Sequence, residues 1–181
     1  MHKNTPLFKH KFKLSNFLLF TLLFFTGIIL FRKITMFFVI SLIVAIFTYF
    51  NYSIKLPFDL SPVLVISLII SRQYSLIYSI IFIIISGILP MIFAGGSFDQ
   101  TTLYYVSIRI LVNFVNTILK PIPAIPVLIA MSITDHLLGT IGSITLFGAN
   151  ISKELINIVL QTLVDIIYIF SLSSFLILLL K

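Results

Sequence analysis

Apolar residues run along this chain in blocks too long for strands and too continuous for the one-sided helices of a soluble protein. Short polar breaks separate the blocks: Arg32-Lys33, the stretch NYSIKLPFDLSP after Phe50, Arg72-Gln73, Gly95 to Gln100, Lys120-Pro121-Ile122-Pro123, and Gly148-Ala149-Asn150. Proline and glycine in these breaks mark helix ends rather than interiors. The pattern predicts helices over 34–50, 61–71, 74–94 and 102–119, a fifth running from the proline pair to Leu146, and a sixth over 152–180. Gly139 and Gly142 are expected to interrupt the fifth; Ser152, with Glu154 in the first turn, reads as the cap of the sixth. A further apolar segment, 14–31, precedes them. Joined to the next block it would make one helix about 55 Å long, against a hydrocarbon core of about 30 Å. Arg32-Lys33 is therefore a break. The expected organisation is a basic tail with an accessory segment over 1–33, then a six-span membrane domain over 34–181. The fold class is an all-α integral membrane protein, a six-helix transmembrane bundle with an extra N-terminal hydrophobic segment. That segment either lies along the inner face or makes a seventh span.

Polar residues inside these blocks are the exceptions that need explaining. Thr102, Tyr105, Arg109, Asn113, Asn116 and Lys120 recur at steps of three or four and share one helix face. Glu154, Asn157, Gln161, Asp165 and Tyr168 do the same on the last helix. A charge within a membrane helix costs roughly 2.5 kcal/mol or more, so it faces protein or a wet cavity. Arg109 and Asp165 sit at depths that bring a long side chain within reach of the carboxylate. Two readings follow: an ion pair that fixes packing, or two walls of one polar cavity. In the second, Arg109 meets an anionic or carbonyl group, and Asn113, Asn116, Asn157 and Gln161 exchange hydrogen bonds with a solute. Asp165 fixes Arg109 or meets a cationic group, and Tyr105 and Tyr168 stack on a ring. Asp135 and His136 on the fifth span are further candidate solute contacts, or else a helix cap and a hydrogen-bonded structural histidine; neighbouring helical residues diverge by about 100° and make no compact metal-ligand pair. Small residues spaced by four (Ser41 and Ala45, Ser67 and Ser71, Ser75 and Ser79) permit close helix approach, within the chain or with another subunit.

Composition supports a membrane protein and removes other classes. Of 181 residues, 60% are hydrophobic and 9% charged, where a soluble domain carries about a quarter charged residues. Cysteine is absent, and with one membrane histidine no metal site is expected. The net charge of +7 collects in the tail (Lys3, Lys9, Lys11, Lys13) and in breaks, the pattern of cytoplasmic loops beside anionic lipid rather than of nucleic-acid binding. Placing Arg32-Lys33, Arg72, Lys120 and Lys181 inside gives a multi-pass protein of the cell membrane with a cytoplasmic C-terminus. No phosphate loop, nucleophile elbow or HExxH motif occurs, so neither enzymatic activity nor a cofactor is expected.

Six short spans, small-residue pairs on the first and third, and polar stripes on the later ones resemble the substrate-binding S components of energy-coupling-factor (ECF) transporters. Pro57-Phe58-Asp59-Leu60-Ser61-Pro62 is similar to that family's first-loop region, and Asp135-His136-Leu137-Leu138-Gly139 to its later glycine-containing region. The chain departs from the family in Ser41, where alanine is usual, and in segment 14–31. The resemblance implies capture of a vitamin-like solute from outside, with contacts from spans four to six and the outer loops. It also implies docking through Ser41, Ala45, Ser75 and Ser79 on a transmembrane scaffold driven by two ATPases. A weaker resemblance, to rod-shape-determining membrane protein D-like proteins, implies a structural scaffold with no solute.

Overall fold

Each long apolar block becomes a helix because a backbone in lipid must satisfy its own hydrogen bonds. The computed structural model describes residues 32–54 and 59–180, with Thr21 and Thr26; the expected basic tail and segment 14–31 otherwise lie outside the described residues. The chain divides into two compact units, Met1–Thr35 and Met36–Lys181, and the second carries the architecture that follows. The helices, the first of which begins just before Met36, are α1 (Arg32–Ile54), α2 (Val63–Gln73), α3 (Leu76–Phe93), α4 (Gln100–Ile118), α5 (Ala124–Phe147) and α6 (Ile151–Leu179), with no strand among the described residues. Four of them, α1, α3, α5 and α6, are long and apolar enough to cross a membrane. They turn large apolar side chains outward, Phe38, Ile77, Leu146 and Leu178 among them, which places the chain in lipid.

The helix ends differ from expectation in instructive ways. The cap of α6 is Asn150, whose side chain accepts from Lys153 N at 3.2 Å, not Ser152. An asparagine two residues after Gly148 suits this, because Gly148 takes a left-handed φ of 66° and turns the chain out of α5. α5 itself runs unbroken through Gly139 and Gly142. In α3, Pro90 has no N–H to bond the preceding turn, and a π-helical turn over Ile84–Ile88 absorbs the mismatch.

At the centre lies α2. Every residue from Val63 to Ser71 is buried, and the helix packs on α3, α4, α5 and α6. Its contact with α4 is polar. Asn113 Nδ2 donates to Ser67 Oγ at 3.1 Å, and Asn116 Nδ2 donates to Ser71 Oγ and to Leu68 O at 2.7 Å each. Arg72 then closes the end of α4, donating to Leu119 O at 3.2 Å and Lys120 O at 2.9 Å. A guanidinium there binds carbonyls just beyond the last turn and meets the negative end of the helix dipole. On α1, Ser41 O accepts from Ser86 Oγ of α3 at 3.0 Å.

Candidate functional site

The two polar stripes divide at the same depth. On α4, Thr102, Tyr105 and Arg109 line a cavity, while Asn113 and Asn116 lie below it in the contact with α2. On α6, Glu154, Asn157 and Gln161 line the cavity, while Asp165 and Tyr168 lie beyond. The cavity has a volume of about 540 Å³ and is walled by α1, α3, α4, α5, α6 and the turns before α2 and α4. That size suits a small organic molecule.

Its charged floor is built by α5. Arg109 Nη2 lies 3.5 Å from Asp135 Oδ2, not beside Asp165, which the shared depth had suggested. The Arg109 side chain is 22% exposed and Asp135 only 3%, so the guanidinium reaches the cavity and the carboxylate stands behind it. Asp165 is held elsewhere: its Oδ2 lies 2.8 Å from His136 Nε2 and accepts from Ser132 Oγ at 2.7 Å. The divergence of adjacent helical residues explains the split. α5 packs against both α4 and α6, so Asp135 turns to one neighbour and His136 to the other. His136 lines the cavity; Asp135 and Asp165 do not.

Close backbone approach shapes the wall between α4 and α5. A Cβ on Gly139 would fall 2.6 Å from the Tyr105 ring, and one on Gly142 would fall 2.1 Å from Tyr104. The absence of those atoms seats both rings on α5, where the Tyr105 hydroxyl meets Ser143 and Tyr104 Oη donates to Leu138 O at 2.9 Å. Tyr168 Oη donates to Leu60 O at 2.9 Å and so ties α6 to the turn before α2, rather than facing the cavity.

The turn before α2 supplies residues that the stripes did not reveal. Asp59 lines the cavity, its Oδ1 accepting from Asn51 Nδ2 at 2.9 Å and Ser61 N at 2.8 Å. Thr48 and Tyr52 of α1 face the same space. In the sequence, the first-loop stretch Pro57 to Pro62 marks Asp59, and the polar run Asn51-Tyr52-Ser53 marks Tyr52; nothing there marks Thr48. At the mouth, Asp99 caps α4, its Oδ1 accepting from Thr102 N at 2.9 Å and Thr102 Oγ1 at 3.0 Å. The backbone N–H of Thr102 first, then its hydroxyl, hold the Asp99 carboxyl below its usual range. Of the small residues, Ser41 and Ser79 are buried within the chain, whereas Ala45 and Ser75 are half-buried.

The site can bind and orient a polar molecule through hydroxyl, amide, guanidinium and carboxylate groups. Compared with known proteins, the chain matches no family model, no curated protein and no solved structure.

Proposed function

We propose that the chain is the solute-binding membrane subunit of an ATP-driven importer of the ECF type, capturing a small polar molecule without chemical conversion. One observation carries the reading: polar faces of α4 and α6 converge with α1, α3 and α5 on one cavity of about 540 Å³ in a bundle whose outer faces are apolar. Polar side chains within a membrane domain cost free energy, and a binding function accounts for their retention. In this reading all six helices cross the cell membrane, the cavity opens outward and the C-terminus is cytoplasmic. Its partners are a transmembrane scaffold subunit and two ATPases.

Native mass spectrometry of the chain purified in nanodiscs tests it. A bound small molecule, with ATPase subunits recovered on co-purification, is expected; neither solute nor ATPase would sink the proposal. The scaffold reading draws on Asn113 and Asn116, which are packing residues. It predicts recovery with cell-shape proteins and indifference to Arg109→Ala.

A further inference from the structure

Among the described residues, the charges around the cavity do not balance: Asp59, Asp99 and Glu154 line it against one guanidinium, that of Arg109, with no lysine beside them. Arg109 is already answered by Asp135 behind it, and His136 by Asp165. Among the described residues, no ion pair reaches any of the three lining carboxylates. Asp59 Oδ2 and both oxygens of half-buried Glu154 also accept no hydrogen bond there. Carboxylates beside helix starts do ordinarily serve the helix, as Asp99 does here. A second observation, independent of charge, points to an occupant. Thr48 lines the cavity with 1% of its surface exposed, and its Oγ1 has no hydrogen-bond partner. A buried hydroxyl left unpaired costs about 1–3 kcal/mol, and a donor entering the cavity beside it would remove that cost.

Resting on the binding reading above, we propose that the solute is a cation: a small organic molecule whose protonated or quaternary nitrogen lies among Asp59, Glu154 and Asp99, with a donor group reaching Thr48. The Arg109–Asp135 pair then acts as a neutral polar contact rather than as the seat of an anionic group. Several hydroxyls and amides (Tyr52, Asn157 and Gln161 among them) are left for the uncharged part of the molecule.

The test uses the full chain in nanodiscs and a deproteinised small-molecule extract of the producing cells. Ion exchangers split the extract at neutral pH into cation-retained, anion-retained and unretained fractions. Native mass spectrometry is expected to find a bound mass only after incubation with the cation-retained fraction. A bound mass from either other fraction overturns the charge assignment while leaving solute binding intact. No bound mass from any fraction overturns both. With the bound species as probe, Asp59→Asn and Glu154→Gln are each expected to weaken binding roughly tenfold, the scale of one partly desolvated charge contact. Thr48→Val is expected to raise the unfolding temperature of the empty protein yet weaken binding a few-fold; a merely structural hydroxyl would change only the first. Unchanged affinity in all three variants overturns the assignment.

Discussion

A side chain added at Gly139 or Gly142 has nowhere to go without moving a tyrosine. The nearest atoms belong to the Tyr105 ring at 2.6 Å and the Tyr104 ring at 2.1 Å, far inside van der Waals contact, and overpacking of this kind costs about 1–3 kcal/mol. The two rings differ in what they serve, since Tyr105 is cavity wall and Tyr104 is not. Gly139→Ala is therefore expected to lower solute affinity as well as stability, and Gly142→Ala to lower the unfolding temperature alone; calorimetry on both variants compares them. Asp99 gives a pH prediction at the same scale. Its carboxyl is held below the ordinary value by Thr102, so the folded chain favours the ionised form. That stabilisation is present in full above the ordinary carboxylate value of about 4 and fades as pH falls through the lower folded value. Asp99→Ala should thus destabilise the protein at neutral pH, and thermal melts should show the gap to wild type narrowing in acid. Asp99→Asn, which keeps the capping acceptor but not the charge, should open a smaller gap than Asp99→Ala.

At the level of helices, spacing along the chain revealed which residues share a face but not which neighbour that face meets. The stripe from Thr102 to Asn116 is real, yet it serves two ends: cavity above Arg109, contact with α2 below. Periodicity gives an azimuth, whereas the choice of partner depends on the order of helices around the bundle. The same limit explains why Arg109 finds Asp135 on α5 instead of Asp165 on α6. Thr48 was illegible because an isolated hydroxyl in an apolar helix forms no stripe. Gly139 and Gly142 read as interruptions because a sequence does not display the rings packed on them. Asn116→Ala is expected to cost about 1–3 kcal/mol, since it removes two buried hydrogen bonds to α2, those to Leu68 O and Ser71 Oγ. Solute affinity should stay within about twofold of wild type, less than 0.5 kcal/mol. A larger loss of affinity at unchanged stability would return Asn116 to the binding surface.

For the molecule as a whole, the open question of crossings turns on α2. Its 11 residues rise about 16 Å, roughly half the hydrocarbon thickness of about 30 Å. The length rule, however, describes helices that face lipid, and α2 is enclosed by α3, α4, α5 and α6. Its first residue, Val63, is cavity wall, and its Arg72 binds carbonyls beyond the last turn of α4, whose first turns wall the same cavity. The 19 residues of α4 measure about 28 Å, so α2 and its flanking turns connect the same two ends that α4 connects. The absence of cysteine allows a direct test, because any introduced thiol is the only one. With an impermeant thiol reagent outside intact cells, Ser152→Cys at the cavity end is expected to label. Gln73→Cys and Ile122→Cys at the other end should label only after the membrane is opened. Labelling of Gln73→Cys together with Ser152→Cys would leave α2 as a helix that enters and does not cross, and six crossings would be wrong. Labelling of Gln73→Cys and Ile122→Cys but not Ser152→Cys would keep the crossings and invert the orientation, turning the cavity to the cytoplasm and excluding capture of a solute from outside.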